Sequence, residues 1–174
     1  MPAQPGSAVL VRHARPDELD DVGRLTVRAY ARFVPASSPY RKRLADAADR
    51  AANASLLVAV GAEAGDLLGT ATLVLGDGPY AELAGPGEAE LRMLGVDPAA
   101  RRRGAGAALV RAVLDRAAAG GARRVLLSTL PEMAAAQRLY RRFGFRRAPE
   151  LDHRPGPRVE LLAFSLDLPR GAVP

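Results

Sequence analysis

The chain has 174 residues, of which 48% are hydrophobic and 25% charged, and its formal net charge is +6. This length and balance exclude disorder and fibrous architectures and predict one domain over 1–174. The absence of cysteine excludes disulfides, thiolate zinc sites and cysteine nucleophiles, and two histidines are too few to favour a metal site. No apolar run approaches the ~18 residues of a membrane span, and the first residues lack a basic leader, so we expect a cytoplasmic protein without a membrane partner.

The two parts of the chain carry opposite charge. Residues 1–100 hold 10 basic and 13 acidic side chains, whereas 101–174 hold 15 basic and 6 acidic ones. Such polarity fits nucleic acid at the basic part, or a polyanionic cofactor there and a cationic substrate at the acidic part. Local motifs must distinguish these alternatives.

Hydrophobic periodicity and turn residues predict an alternating α/β order with a core over about 8–168 and flexible tails at 1–7 and 169–174. In the first part of the chain we predict a strand at 8–14, helices at 15–33 and 40–52, and strands at 54–61, 65–76 and 88–96 that form an antiparallel meander. The second part is predicted to contain a helix at 104–121, a strand at 123–129, a helix at 131–145 and a strand at 158–168. The helix at 104–121 makes the connection to the strand at 123–129 a parallel crossover. Thr129 and Glu132 have the spacing of a capping box for the last helix.

The stretch "LGVDPAARRRGAGAALV" at 94–110 places a strand end, three arginines and a glycine step directly before a helix. The first amides of a helix lack internal partners and, with the helix dipole, suit a phosphate or pyrophosphate. A P-loop would need Gly-Lys-Ser/Thr at the helix entry, which Ala105-Gly106-Ala107 does not supply. A dinucleotide fingerprint would need an acid at the end of the next strand, where Ser128 and Thr129 stand.

A third pattern fits two separate stretches. Arg101-x-x-Gly104-x-Gly106 resembles the acyl-CoA-binding motif of the GNAT superfamily of N-acyltransferases, and the run from Ala136 through Leu139-Tyr140 to Gly144-Phe145 resembles a second element of that family. The order of elements over 8–168 is also similar to that fold. The resemblance implies a single-domain GNAT-like α/β fold: a mixed sheet of six to seven strands with a splayed parallel pair, flanked by about four helices.

The resemblance also implies an acyl donor, acetyl-CoA, and its contacts. The amides of 102–107 would bind the pyrophosphate, and Leu94 and Val96 would pair with the pantetheine arm. Arg102 stands where the family often has glycine, and Met133 where it frequently has asparagine. The residues that we expect to bind the cofactor are Leu94, Gly95, Val96, Arg101, Arg102, Arg103, Gly104, Ala105, Gly106, Ala107, Met133, Ala136, Tyr140 and Phe143.

Two side chains are the candidates for catalysis. Tyr140 matches the family tyrosine that protonates the departing CoA thiolate, and a phenol keeps its proton at neutral pH. Glu90 is our candidate base for the acceptor amine, directly or through a water. Strand alternation places Glu88, Glu90 and Arg92 on one face, which we expect to meet the acceptor.

Tyr30 and Phe33 on the first helix are further candidates for acceptor binding, with Glu88. We expect His153 to lie in a solvated loop.

The resemblance implies that the acceptor is a small-molecule or peptide amine. We expect no metal ion. A homodimer is possible, because homodimers are common among relatives.

The predicted function is therefore an acetyl-CoA-dependent N-acetyltransferase that transfers acetyl directly to a primary amine, because no cysteine can carry an acyl group. Two alternatives stay open. One is a GNAT-like module that binds acyl-CoA without catalysis. The other is a basic nucleic-acid-binding module, which the 5% aromatic content and the scattered basic residues disfavour.

Overall fold

The computed structural model describes residues 8–170. In chain order its elements are β1 (Val9–His13), α1 (Leu19–Tyr30), α2 (Tyr40–Ala45), α3 (Ala47–Asn53), β2 (Ser55–Gly61), β3 (Leu67–Leu75), β4 (Ala89–Val96), α4 (Ala105–Ala119), β5 (Arg124–Thr129), α5 (Ala134–Arg142), β6 (Arg146–Arg147), β7 (His153–Gly156) and β8 (Val159–Asp167). Of the predicted tails, 1–7 and 171–174 lie outside the described residues. Within residues 8–170, none of the helices combines the length and apolar character needed to cross a membrane.

The strands are hydrogen-bonded in the order β1-β2-β3-β4-β5-β8-β6, with β7 also paired to β8. β2, β3 and β4 are neighbours in the sheet in the order of the chain. β4 and β5 pair in parallel, and α4 connects them along the chain. The predicted α/β class with a mixed sheet and one parallel pair is confirmed. The sheet has eight strands and the described chain five α-helices, against six to seven and about four predicted.

The element counts differ from the prediction for local reasons. The predicted helix 40–52 is two helices, because Asp46, with φ −83° and ψ 73°, ends α2 and its carboxylate accepts the Asp49 amide at the start of α3. β6 and β7 have two and four residues, too few to show a period of two. The last helix starts at Ala134 rather than near Pro131, so the predicted capping box is wrong.

The contacts divide the chain into two compact units, and strands β3 and β4 and helix α4 contribute residues to both. Among the described residues, the first unit is 8–72 with Met93–Ala112. In it β1 pairs antiparallel with β2, from Val9 opposite Gly61 to His13 opposite Leu57. Its apolar cluster comprises Val22, Ala47, Leu56, Val58 and Val60.

Arg50 is the largest of the fully buried side chains and lies in this first unit. Its guanidinium donates to the carbonyl oxygens of Arg43 and Leu44, each at 2.8 Å, and to Thr26 Oγ1 at 3.1 Å. Burying a charge is costly unless its donors are satisfied. These hydrogen bonds therefore hold α1, α2 and α3 together.

The second unit is Leu73–Arg92 with the described residues 113–170. Here β5 pairs antiparallel with β8, from Arg124 opposite Asp167 to Thr129 opposite Leu162. The parallel ladder between β4 and β5 joins only residues 89–91 to 125–127, and β4 continues five residues past it, to Val96. The core of the second unit includes Val125, Leu126, Leu127, Ala163 and Phe164.

Candidate functional site

The turn after β4 is built by Asp97. Its Oδ1 accepts the Ala99 amide at 3.0 Å and so caps the short 3-10 turn Pro98–Ala100. Its own amide donates to Leu68 of β3 at 2.9 Å, and its Oδ2 accepts from Arg28 of α1 at 2.6 Å. Three elements thus fix the direction in which the chain leaves β4.

Two residues of the following turn have left-handed backbone: Arg102 with φ 65° and Gly104 with φ 83°. The first main-chain bond of α4 runs from the Ala108 amide to the Gly104 carbonyl at 3.0 Å. The amides of Ala105, Gly106 and Ala107 therefore precede the helical ladder, at the positive end of the helix dipole. This is the geometry of an anion site at a helix N-terminus.

The left-handed backbone explains why glycine suits position 102, since only glycine adopts such φ values without cost. Arg101, Arg102 and Arg103 are all exposed. Arg103 is held by Asp66 of the β2–β3 turn, with Nη1 2.8 Å from Oδ2. The Arg103 hydrogen bond lowers the pKa of Asp66, so this carboxylate is charged at neutral pH.

The last residues of β4 are where the thioester and pantetheine were predicted to lie. Met93 has φ 51°, a conformation that non-glycine residues adopt at a cost and that is common at functional sites. A Cβ at Gly95 would meet Ala29 Cβ at 2.9 Å and the Tyr30 ring at 3.6 Å. The structure thus brings Tyr30 beside the predicted pantetheine strand. Leu94 and Val96 are half-buried.

Phe33 lies three residues past the end of α1 and is half-buried. The guanidinium carbon of Arg32 is 5.9 Å from its ring centroid. Phe33 thus contacts a cation of its own segment.

Glu90, the candidate base, is fully buried in the second unit. Its Oε2 accepts three consecutive main-chain amides, those of Glu82, Leu83 and Ala84, at 2.8, 2.9 and 3.1 Å. Its Oε1 is buried and has no hydrogen-bond partner among the described residues. Hydrogen bonds therefore hold the carboxylate through Oε2, and Oε1 accepts no hydrogen bond from the described residues.

The charged residues at 88, just before β4, and at 92, within it, are also paired. Glu88 is 6% exposed, and its Oε1 accepts from both Arg123 and Arg124 at 2.7 Å. Burial alone would raise the pKa of Glu88, but the Gly85 amide, the Arg124 hydrogen bond and the two positive charges hold it below its ordinary value. Arg92 is 8% exposed and pairs with Glu82.

His153 lies in strand β7, so its assignment to a solvated loop is wrong. Its Nε2 is buried and lies 3.4 Å from Glu82 Oε2. Hydrophobic alternation in the sequence does not predict strand β7, because the strand has only four residues and includes Pro155.

Tyr140 is 5% exposed and packs edge-to-face on Phe145, with ring centroids 5.8 Å apart, and against Phe164 at 6.4 Å. Burial raises the pKa of the Tyr140 phenol above its usual value. The phenol therefore holds its proton throughout the neutral range, as a proton donor must.

The other predicted residues of this helix have separate roles. Met133 is the N-cap of α5, and its sulfur accepts from Thr129 Oγ1 at 3.5 Å. The side-chain amide of Gln137, a residue that the sequence analysis missed, donates to the carbonyl oxygens of Leu130 and Pro131. Gln137 thus shapes the entry to α5 in place of the predicted capping box. Ala136 and Phe143 are half-buried.

Among residues 8–170 we find no group of three or more His, Asp or Glu side chains placed to hold a metal ion. The carboxylates near Glu90 are bound by arginines and main-chain amides.

Comparisons with known proteins identify the family of this chain. The model of the acetyltransferase (GNAT) family matches residues 19–145, so the chain belongs to the GNAT acetyltransferase family, and the predicted membership is confirmed. A comparison with curated proteins found no match.

Solved structures share the fold. A GNAT acetyltransferase from Staphylococcus aureus Mu50 has a TM-score of 0.75 at 16% identity, over 93% of this chain and 100% of that one. The ribosomal-protein-S18-alanine N-acetyltransferase of Escherichia coli has 0.70 at 21%, over 95% and 97%. A GNAT acetyltransferase from Brucella melitensis, solved with acetyl-CoA, has 0.59 at 27%, over 95% and 94%. The predicted GNAT-like fold is confirmed.

Proposed function

We propose that this protein is an acetyl-CoA-dependent N-acetyltransferase that transfers acetyl directly to a primary amine. The observation that carries the proposal is the turn at Arg101–Gly106, whose two left-handed residues lead into the first turn of α4, ahead of its first i to i−4 hydrogen bond. Membership in the GNAT family and the acetyl-CoA complex of the Brucella relative support acetyl-CoA as the occupant of such a turn.

In this proposal the amides of Arg102 to Ala107 bind the pyrophosphate, and the exposed guanidiniums of Arg101 and Arg102 add charge around the phosphates. The open main chain of β4 at Leu94, Gly95 and Val96 pairs with the pantetheine arm. The remaining proposed contacts to the cofactor are Met133, Ala136, Tyr140 and Phe143.

The chemistry balances when the acceptor nitrogen gives up two protons and the CoA sulfur gains one. The acceptor is an ammonium ion at neutral pH, so Glu90 takes its proton, directly or through a water. The amine nitrogen then forms a bond to the thioester carbon, and a main-chain amide near Leu94 stabilises the oxyanion. As the carbon–sulfur bond breaks, Tyr140 gives its proton to the sulfur, and the second proton of the acceptor nitrogen returns to the tyrosinate through water. The proton that Glu90 took leaves to solvent. Because the chain has no cysteine, no acyl-cysteine stage is available.

Calorimetry with acetyl-CoA, followed by a thiol-release screen over small amines, polyamines and peptides, tests this function. We expect acetyl-CoA to bind and at least one amine class to release CoA. No binding at millimolar acetyl-CoA would refute the proposal. Binding without thiol release from any amine would instead favour a non-catalytic acyl-CoA module, and salt-dependent DNA affinity without CoA binding would favour the nucleic-acid alternative.

A further inference from the structure

The segment Tyr80–Ala84 holds two charged side chains of β4 at once. Its three amides at 82–84 bind Glu90 Oε2, as described above. Its Glu82 side chain accepts from Arg92 Nη2 at 2.7 Å, and the Tyr80 carbonyl accepts from Arg92 Nη1 at 2.7 Å. One short segment therefore fixes both the carboxylate and the guanidinium.

The two charges that this segment holds are close but not bonded. Arg92 Nε lies 3.9 Å from Glu90 Oε1. A direct charge-assisted bond would be about 2.7–2.9 Å long. At the longer distance Arg92 is not hydrogen-bonded to Oε1, which has no hydrogen-bond partner among the described residues.

We propose that Glu82 is a positioning residue for acetyl transfer: it holds the Arg92 guanidinium away from Glu90, so that Oε1 stays available to take the acceptor's proton. This rests on the proposed role of Glu90 as the base. Without the Glu82 carboxylate, Arg92 would turn to its nearest remaining carboxylate and pair with Oε1. Oε1 would then accept a hydrogen bond from the guanidinium and would no longer be available to the acceptor's proton.

The other charged groups around Arg92 and Glu90 are already engaged. Glu88 is bound to Arg123 and Arg124 and does not compete for Arg92. His153 Nε2 lies 3.4 Å from Oε2 of Glu82, whereas Arg92 binds the other oxygen, Oε1. Glu82 is therefore the carboxylate that decides where the Arg92 guanidinium lies.

Removal of the Glu82 side chain separates its two contacts. The hydrogen bond to Arg92 is lost, whereas the hydrogen bond to Glu90 stays, because the donor is the main-chain amide of Glu82. Glu82→Ala is expected to lower kcat at least about tenfold, a fraction of the ~10²–10⁴ that a general base contributes, with the KM for acetyl-CoA unchanged. Glu82→Gln is the matched control: its amide oxygen still accepts from Arg92, so most of the rate should remain.

The decisive measurement is the double variant Glu82→Ala with Arg92→Met. Methionine fills the buried space of Arg92 without a charge. Removing the arginine frees Oε1 again, so the double variant should be faster than Glu82→Ala alone. A merely structural role for Glu82 predicts instead that the two losses add. Additive losses, or an undiminished rate in Glu82→Ala, would overturn the proposal.

A second readout does not need turnover. In protein labelled with ¹³C at the glutamate carboxyl carbons, the Glu90 resonance is assigned by its loss in Glu90→Gln. We expect Glu82→Ala to shift this resonance and Arg92→Met to reverse the shift; an unmoved resonance would contradict the positioning. If no amine is acetylated, or if Glu90→Gln keeps its rate, the proposed function or base fails, while the resonance still decides where Arg92 lies.

Discussion

Arg28 and Asp97, 69 residues apart in the chain, are joined by a 2.6 Å hydrogen bond between Nη2 and Oδ2. The bond ties α1 to the residue that opens the predicted pyrophosphate turn. The Arg28 hydrogen bond, with the Ala99 amide, holds the pKa of Asp97 below its ordinary value against the opposing effect of burial. The turn that would bind the cofactor thus depends on a carboxylate charge.

Asp97→Asn should lower the free energy of unfolding by about 1 kcal/mol at neutral pH, since Arg28 is half exposed and solvent screens the pair. The asparagine oxygen can still cap the Ala99 amide, so the variant isolates the charge. Because the folded pKa of Asp97 is depressed, its contribution is complete above about pH 4 and is lost as pH falls through the folded value. Urea unfolding at pH 7 and pH 3 measures this. An equal difference between the two proteins at both pH values would contradict it.

The left-handed backbone of Arg102 leads to a second prediction. Arg102→Gly removes a Cβ from a residue at φ 65° and should recover about 1 kcal/mol of strain, partly offset by the greater freedom of glycine in the unfolded chain. If main-chain amides build the anion site, acetyl-CoA affinity should fall only by the loss of one exposed charge. Calorimetry and thermal unfolding of the same preparation measure both effects.

Gly104→Ala is the matched variant in that turn. A Cβ at Gly104 would meet nothing within 4 Å, so any loss comes from its φ of +83° and not from a clash. We expect acetyl-CoA to bind more weakly to Gly104→Ala than to Arg102→Gly, because the alanine displaces the amides themselves. The reverse order would show that the arginine side chain, and not the backbone, carries the site.

The sequence predicted those parts of the fold whose residues are periodic and close together. β4, the glycine turn and α4 are continuous, and the end of α5 was marked by Gly144, which has φ 96°. The surroundings of Glu90 were not predictable. Its partners are main-chain amides in an irregular segment six to eight residues upstream, and an amide carries no sequence signature.

The same limit explains the missed side chains. Asp66 binds Arg103 across 37 residues, and nothing in the local pattern of either residue indicates the pair. His153, in the four-residue strand β7, lies 3.4 Å from Glu82, which is 71 residues earlier in the chain. The resemblance to the family gave residue types and positions, whereas these contacts depend on the particular side chains of this chain.

Tyr140→Phe tests the proposed acid. The ring contacts with Phe145 and Phe164 survive the substitution, so the free energy of unfolding should change by less than about 1 kcal/mol. Loss of the proton donor should lower kcat by at least about tenfold, while acetyl-CoA affinity changes little. Pre-steady-state thiol release and calorimetry separate these quantities. An unchanged kcat would remove Tyr140 from the mechanism.

A substitution at Gly23 tests how closely α1, the helix of Arg28 and Tyr30, packs against α2. A Cβ at Gly23 would overlap the carbonyl oxygen of Ala45 at the end of α2, and main-chain atoms cannot move aside as a flexible side chain can. Alanine favours a helix over glycine by about 1 kcal/mol, yet we expect Gly23→Ala to destabilise the protein by about 2 kcal/mol or more, because the clash separates the helices.

Gly156→Ala in β7 is the control for this substitution, since a Cβ there would meet nothing within 4 Å and its φ lies outside the left-handed region. It should be neutral or slightly stabilising. Thermal unfolding of both variants measures the contrast. Because Tyr30 follows Gly23 on the same helix and lies beside Gly95, Gly23→Ala should also weaken acetyl-CoA binding, whereas Gly156→Ala should leave it unchanged. Equal stability of the two variants would show that α1 can shift to accept the methyl group.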